Sequence, residues 1–295
     1  MITKKVYKTK QRTISKLKVI YNEKIFFTIL LLSTSIFLIG CTNITNTSPS
    51  KETISQETTT TEKGDKIQVS SDGIKFIVNP DKISSGGPPK DGIPSIDNPK
   101  FVSVQEADEW IQDNELVLAM NHKGEKRVYP LQILVWHEII NDNIAGDPIL
   151  VTYCPLCGSG IAYERFIDVN GNKKEVEFGT SGKLYNSNLV MYDRETNSYW
   201  TQIDGKAIIG ELTGQELKEV SIDTASWREW KKVHPDSQVL SKDTGSRRKY
   251  GEDPYGNYYE DSFLIFPVEN RDDRVHPKTV IFGIELDGKF KAYRE

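Results

Sequence analysis

Two cysteines stand three positions apart in the motif Cys154-Pro155-Leu156-Cys157, which follows the apolar run 148–153. Outside the cytoplasm such a pair can cycle between a dithiol and a disulfide, and a nearby positive potential lowers the pKa of one thiol towards a reactive thiolate. Gly-Ser-Gly and a strand-like segment follow the motif, which disfavours the helix of a thioredoxin-like site. The motif predicts a thiol-redox site of another fold and leaves open whether the protein is an enzyme.

The same motif, followed by Gly158, also has the shape of a metal-binding knuckle, in which two thiolates hold one ion. A zinc ribbon needs two knuckles and the chain has one, so zinc would need further His, Asp or Glu ligands. Copper(I) accepts two or three soft ligands and is the other candidate metal. A third interpretation is a static disulfide across a tight turn, which adds little stability because the closed loop is short. The protein would then be a non-catalytic ligand-binding or scaffolding protein.

Four histidines are available as partners of the thiols, and His137 is the best placed of them. A β-strand that begins at His137 puts it on the same face as Ile139, and the next strand leads directly to Cys154. His137 is therefore predicted to be a metal ligand or a proton acceptor beside the cysteines, with a hydrogen-bonded structural histidine as the alternative. His276 is predicted as a possible additional metal ligand.

A second group of polar residues lies further along the chain. The segment 179–183 is too short for a phosphate-binding loop, because the four-residue spacer is missing. Its small polar residues and those that follow can line a pocket, or they can belong to a hairpin with a buried Asp193–Arg194 network. The candidate ligand-binding residues are Ser181, Lys183, Asn188, Asp193 and Arg194.

Short apolar segments alternate with turn signals through most of the chain, which is typical of β hairpins. Hairpin turns are expected at Lys123-Gly124, Ala145-Gly146 and Asn170-Gly171. Short helices are expected over 103–112, 130–136 and 225–233, where a capping box, a proline start and an apolar stripe occur. The predicted fold is α+β, dominated by antiparallel β hairpins and sheets with a few short helices. One globular domain is expected over 67–295.

The first 40 residues carry eight Lys or Arg and one acid, and they include fifteen uncharged residues at 25–39. That stretch has the length of a signal-peptide core and is marginal for a spanning helix, which needs about 20 apolar residues. The four residues that end at Cys41 resemble the bacterial lipobox. Residues 1–40 are predicted to be a cleaved signal peptide. Cys41 is predicted to carry the lipid, including palmitate, that anchors the protein to the outer side of the cell membrane.

Residues 41–66 are rich in Thr, Ser, Glu and Lys and have little to bury. Such a segment cannot offset its ordering entropy, so a disordered tether is expected. The chain has a net charge of −4 and the first 40 residues contribute +7, which leaves −11 on the remainder. An acidic domain repels phosphate backbones, so nucleic acid is not an expected partner. The sequence identifies no small-molecule or protein partner.

An ordered series of motifs in the domain is similar to the DUF3179 family of uncharacterised bacterial and archaeal proteins. The motifs span residues 136–142, 153–159, 179–188, 191–196, 227–235 and 253–255. The resemblance implies an extracytoplasmic, often lipid-anchored setting and marks His137, Cys154 and Cys157 as residues of the family pattern. It implies no particular biochemical activity.

Overall fold

The computed structural model describes residues 59–61, 64–286 and 289–294. Within these ranges the helices are α1 Val104–Ala107, α2 Leu131–His137 and α3 Trp227–Val233. The strands are β1 Thr59–Thr60, β2 Lys66–Val69, β3 Lys75–Phe76, β4 Ser84–Ser85, β5 Phe101–Ser103, β6 Leu116–His122, β7 Glu125–Pro130, β8 Ile139–Ile144, β9 Asp147–Cys154, β10 Ser159–Glu164, β11 Phe166–Val169, β12 Asn172–Glu175, β13 Phe178–Tyr185, β14 Asn188–Asp193, β15 Tyr199–Thr201, β16 Ala207–Ile209, β17 Glu219–Val220, β18 Asp223–Ser226, β19 Gln238–Leu240, β20 Ile281–Leu286 and β21 Lys289–Arg294. The predicted fold class is confirmed.

Three sheets contain most of these strands. The orders are β1-β2-β3-β16-β15-β14-β13-β4, β17-β10-β9-β8 and β18-β6-β7-β19-β5, and two further hairpins are β11–β12 and β20–β21. Among the strand pairs of the described residues, β7 with β19 is parallel and the rest are antiparallel. The three expected hairpin turns are confirmed, because β6–β7, β8–β9 and β11–β12 close at those positions.

The four-stranded sheet is the middle layer, and β9 is buried on both of its faces. Ile149, Val151 and Tyr153 pack in the core towards the five-stranded sheet. Leu150 and Cys154 pack in the core towards the eight-stranded sheet. Because successive side chains of a strand point to opposite faces, a strand buried on both faces is apolar throughout. This explains the apolar run that leads to the first cysteine, and it aims Cys154 into the second core.

The outer face of the five-stranded sheet is covered by α1 and α3. Ser103 and Glu106 form the expected capping box of α1, in which each side chain accepts a hydrogen bond from the other residue's backbone amide. Trp227 and Trp230 of α3 are buried against Val117 in this outer core. Both tryptophans are therefore structural anchors of the sheet, as their helical spacing predicts.

The predicted strand at His137 is wrong. His137 is the last residue of α2, Glu138 adopts a positive φ of 59° that reverses the chain, and β8 begins only at Ile139. The apolar residues of 131–136 have helical spacing. Three of them are buried where α2 packs on the core: Ile133, Leu134 and Val135. The helix therefore extends to His137, and the side chain of that residue leaves the strand face that leads to the thiols.

Of the predicted tether, 41–66, the structure describes residues 59–61 and 64–66. Thr59–Thr60 forms β1 and pairs with Lys66 and Ile67 of β2, because β-branched threonines suit the edge of a sheet. The rest of that segment up to residue 58, the predicted signal peptide and Cys41 lie outside the described residues. Within the described part of the chain, no helix has the length and apolarity needed to cross a membrane.

Candidate functional site

The two domain cysteines occupy the tight turn between β9 and β10. Pro155–Cys157 forms a single turn of 3-10 helix, and Gly158 ends it in the left-handed region with φ 58°, where glycine has no steric cost. Cys154 pairs with Ser159 across the turn, so both thiols are held at one end of the middle sheet. Their sulfurs are 2.9 Å apart and both cysteines are free thiols. A disulfide of about 2.05 Å therefore needs only a small approach of the two sulfurs.

The two thiols have different surroundings. Cys154 is 1% exposed, whereas Cys157 is half-buried. Burial raises the pKa of the Cys154 thiol well above its ordinary value. The hydrogen bond from Cys154, together with that from Asn188 Nδ2 at 3.2 Å, lowers the pKa of Cys157. When Cys157 is protonated, its thiol donates to the Ser187 carbonyl at 3.3 Å.

A buried polar network fixes the Asn188 donor. Its other amide hydrogen is donated to Gln202 Oε1 at 2.8 Å, and its Oδ1 accepts from the backbone amide of Ile203 at 3.2 Å. Gln202 Nε2 in turn donates to Thr152 Oγ1 at 3.0 Å, and Ser159 Oγ donates to Gln202 Oε1 at 3.0 Å. All groups of the Asn188 side chain are thus satisfied in one orientation. The network keeps an N–H group aimed at the Cys157 sulfur.

A carboxyl group lies beside the thiols, at Glu138. Its side chain is 7% exposed, and among the described residues no hydrogen bond or ion pair joins it. Its backbone carbonyl accepts from the Tyr153 amide at 2.8 Å, which places Glu138 opposite the residue before Cys154. Burial, followed by the charge of Cys154, raises the pKa of Glu138 well above its ordinary value. A negative charge on the thiol pair therefore favours the protonated form of Glu138.

Tyrosines from the segment after residue 250 cover the site. The rings of Tyr255, Tyr258 and Tyr259 contact one another with centroid distances of 5.9 to 6.4 Å. Burial, then the nearby acids Glu138 and Cys154, raise the pKa of Tyr255. Tyr153 from β9 has its pKa raised by burial and then by Cys154. These phenols remain neutral at physiological pH and form an uncharged, aromatic cover. We call Tyr153, Tyr255, Tyr258 and Tyr259 the tyrosine cover.

Two buried hydroxyls near Cys157 lack partners. Ser187 Oγ and Tyr258 Oη have no hydrogen-bond partner among the described residues, although each residue is only 7% exposed. Ser187 stands in the left-handed turn between β13 and β14 with φ 60°, and its carbonyl contacts Cys157. Burial raises the pKa of Tyr258, the neighbouring Ser187 hydroxyl lowers it, and both thiols raise it, so the phenol lies close to Ser187 and to the thiols. Unsatisfied buried polar groups are rare in native proteins and are common where a ligand binds.

The structure does not bring the two candidate histidines to the thiols. Both ring nitrogens of His137 are engaged elsewhere, because Nδ1 bonds the Pro94 carbonyl at 2.7 Å and Nε2 bonds Tyr250 Oη at 2.6 Å. Burial lowers the pKa of His137, in agreement with a neutral ring that donates to Pro94 and accepts from Tyr250. His276 is exposed, and its Nδ1 accepts from the Lys278 amide at 3.3 Å.

The candidate ligand-binding residues do not form one group. Asn188 contacts Cys157, as described above. The hydroxyl of Ser181 donates to the Val190 carbonyl, and Lys183 is half-buried on the same strand. Asp193 accepts from Trp200 Nε1 and from Thr196, while Arg194 pairs with Asp97 and Glu177 on the surface. The predicted Asp193–Arg194 network is therefore two separate networks.

The donor set suits a dithiol better than a closed metal site. In the described part of the chain, no group of three or more His, Cys, Asp or Glu side chains is placed to hold a metal ion. A structural zinc site needs four ligands, and the two sulfurs supply two. The residues around the thiols therefore do not fit a tetrahedral zinc centre.

These observations define a class of protein: a layered antiparallel β-sheet protein with a dithiol at one end of its central sheet. A family model described as "Protein of unknown function (DUF3179)" matches residues 90–295, which is more than two thirds of the chain. The chain belongs to the DUF3179 family, which confirms the resemblance seen in the sequence. No curated protein and no solved structure matches it.

Sequence reasoning identified the two cysteines but missed most of the residues that surround them. Glu138 was visible only as a neighbour of His137, and the helix end at which it stands has no short sequence signature. The tyrosine cover has a partial signal, because three tyrosines occur within residues 255–259. Nothing local connects that segment with a motif about one hundred positions earlier. Gln202 and Ser159 are ordinary strand residues whose role depends on the register of three strands.

Proposed function

We propose that this protein is a thiol–disulfide redox protein whose reactive pair is Cys157 and Cys154. The observation that carries the proposal is the 2.9 Å separation of two free sulfurs with unequal surroundings. Cys157 is half-buried and has an N–H donor, whereas Cys154 is buried. A thiol pair divided in this way has one sulfur suited to attack a disulfide and one suited to resolve the product.

The reaction follows from this division of roles. The Cys157 thiolate attacks a substrate disulfide R–S–S–R′, forms a Cys157–S–S–R mixed disulfide and releases R′S⁻. The Cys154 sulfur, after loss of its proton, attacks the sulfur of Cys157 and releases RS⁻. Two electrons pass from the cysteine pair to the substrate, and an internal disulfide remains. The reverse sequence oxidises a dithiol substrate, so the direction depends on the reduction potentials of the two pairs.

The site supports redox chemistry over the two other interpretations of the motif. A static disulfide has no use for an amide donor aimed at one sulfur. Zinc is disfavoured by the missing third and fourth ligands. Copper(I) held by two sulfurs is the metal-binding alternative, and the experiment below distinguishes it.

The cellular setting is part of the proposal and rests on the sequence. The basic start, the uncharged stretch 25–39 and the lipobox-like ending at Cys41 support a lipoprotein anchored to the cell membrane and facing the extracytoplasmic side. That compartment permits disulfides. Labelling cells with a palmitate analogue tests it: we expect wild type to be labelled and Cys41→Ser to lose both the label and membrane retention. Equal labelling of the variant would contradict the anchor.

A redox titration of the protein purified from membranes tests the proposed function. The protein is equilibrated with mixtures of reduced and oxidised dithiothreitol, thiols are alkylated, and peptide mass spectrometry follows the peptide with both cysteines. We expect one reversible two-electron transition. A disulfide that persists in reduced dithiothreitol would support a static staple. A pair that never oxidises but binds Cu(I) tightly, and loses binding on Cys154→Ser, would support a copper site.

A further inference from the structure

The side-chain amide of Asn188 contacts the Cys157 sulfur, and its orientation decides whether that sulfur meets a donor or an acceptor. Asn188 Nδ2 lies 3.2 Å from Cys157 Sγ, and in a flipped amide the oxygen would stand in its place. An N–H group stabilises a thiolate, whereas a carbonyl oxygen repels it. A residue that fixes this amide therefore acts on the reactivity of Cys157 without touching it.

Two neighbours fix the side-chain amide of Gln202. Thr152 Oγ1 donates its one hydrogen to the Ile161 carbonyl at 2.8 Å, so towards Gln202 Nε2, 3.0 Å away, it can only accept. The Ser159 carbonyl, 3.2 Å from the same nitrogen, is also an acceptor. Because two acceptors require the NH₂ group of Gln202 at this position, its Oε1 is turned towards Asn188.

Gln202 and one backbone amide then fix Asn188. Gln202 Oε1 accepts from Asn188 Nδ2 at 2.8 Å, and the Ile203 amide, which can only donate, lies 3.2 Å from Asn188 Oδ1. A flipped Asn188 would set oxygen against oxygen at Gln202 and N–H against N–H at Ile203. The N–H group at Cys157 is thus the last in a chain of forced orientations that begins at a carbonyl of β10.

We propose that Gln202 is a positioning residue of the dithiol site, which holds the N–H group of Asn188 against the Cys157 sulfur; this role rests on the proposed redox function. Gln202 and Thr152 are fully buried and Asn188 is 7% exposed, so solvent is kept from these hydrogen bonds. A buried amide that loses its partners is strongly disfavoured, which keeps the network in one arrangement. The donor is therefore in place before Cys157 ionises, and the thiolate is stabilised without rearrangement of the site.

The ionisation of Cys157 tests this role. The full-length protein is alkylated with iodoacetamide over a series of pH values, and peptide mass spectrometry follows Cys157 separately from Cys154. Asn188→Ala removes the donor and should raise the pH midpoint of Cys157 alkylation by about one unit, as for loss of one hydrogen bond to a charged group. Gln202→Leu should raise it by the same amount or less. The double variant should shift it no further than Asn188→Ala alone, because both changes remove the same hydrogen bond.

Two variants of Thr152 keep the test decisive if Gln202→Leu does not fold. Thr152→Val removes one of the two acceptors that orient Gln202, and this hydroxyl bonds neither sulfur. The midpoint should rise, by less than in Asn188→Ala, and Thr152→Ser, which keeps the hydroxyl, should restore the wild-type value.

A matched control separates positioning from a loss of stability. Asn141 is another buried asparagine, and its amide bonds Asp97 and the backbone of Phe178. Asn141→Ala should lower the free energy of unfolding without moving the Cys157 midpoint. Four titratable groups interact electrostatically with Cys157, and every variant retains them: Cys154, Glu138, Tyr153 and Tyr258.

The outcomes distinguish the positioning role from the redox function. An unchanged midpoint in Gln202→Leu, or in Thr152→Val where Gln202→Leu does not fold, would overturn the positioning role. Additive shifts in the double variant, or an equal shift in Asn141→Ala, would overturn it as well. Midpoints that shift as expected in a protein whose cysteines show no two-electron transition would instead overturn the redox function.

Discussion

Two buried carboxyl groups of this protein are placed in opposite ways. Asp193, at the end of β14, is fully buried and accepts hydrogen bonds from Trp200 Nε1 at 2.9 Å and from the Thr196 hydroxyl at 3.0 Å. Glu138, between α2 and β8, is almost as buried and accepts none among the described residues. The first carboxyl organises a hairpin. The second is left unsatisfied beside a thiol pair.

The same contrast holds for buried phenols. Tyr129 Oη donates to Asp142 at 2.7 Å, and Tyr163 Oη donates to the Gln202 carbonyl at 2.7 Å. Tyr258 Oη, in the tyrosine cover, has no partner among the described residues. Three buried polar atoms of the described residues have no partner: Arg127 Nε beside Asp142, and Ser187 Oγ and Tyr258 Oη near the thiols. The comparison teaches that the two unpaired hydroxyls, unlike the phenols in the body of the fold, lie where a ligand or water can supply the missing partner.

The largest expected difference concerns stability. Asp193→Ala removes the acceptor of three donors, the buried Trp200 Nε1 and the half-buried Thr196 amide and hydroxyl, and should lower the free energy of unfolding by about 3 kcal/mol or more. Glu138→Gln removes no hydrogen bond among the described residues and should change the free energy by less than about 1 kcal/mol at pH 5. Urea denaturation of both variants measures the difference. Comparable losses would show that Glu138 is also structural.

The second expectation concerns pH. The pKa of Glu138 is higher in the folded protein than in the unfolded chain, so the folded state holds the extra proton. The stabilisation from this group is complete below about pH 4.3, the pKa of a glutamate in the unfolded chain. Between that pH and the pKa of Glu138 in the folded protein, the free energy of unfolding decreases by up to about 1.4 kcal/mol per pH unit. Denaturation curves at several pH values should show a flatter profile for Glu138→Gln. Parallel profiles would contradict the raised pKa.

The third expectation compares two phenols. Tyr129→Phe deprives Asp142 of a donor and should cost about 1.5 kcal/mol. Tyr258→Phe removes an unpaired hydroxyl, so stability should be unchanged or slightly higher. The thermal midpoints of both variants measure this. If Tyr258→Phe destabilises the protein as much as Tyr129→Phe, then its hydroxyl has a structural partner and does not await a substrate.

Local chemistry explains which elements the sequence predicts well. The turn at Asn170-Gly171 and the capping box at Ser103 depend on residues within four positions of each other, and both occur as expected. The cysteine turn is also local, because Gly158 follows the motif directly.

Non-local packing explains what the sequence misses. A strand was predicted to begin at His137, but this residue ends helix α2. Where the helix ends depends on how α2 packs on the sheet, which residues near in sequence do not determine. His137 instead bonds Tyr250, which is 113 positions away. Asn188 was expected among ligand-binding residues, yet its contact with Cys157 arises only because two hairpin turns meet at one end of the molecule.

The central claim is that Cys157 attacks and Cys154 resolves, and single-cysteine variants test it most directly. Cys154→Ser should react with 5,5′-dithiobis(2-nitrobenzoate) at close to the wild-type rate, release one equivalent and retain a stable mixed disulfide on Cys157, located by tandem mass spectrometry. Cys157→Ser should react at least ~10-fold more slowly, because the remaining thiol is buried and its pKa is raised. Faster reaction of Cys157→Ser than of Cys154→Ser, or no reaction of either variant, would contradict the account.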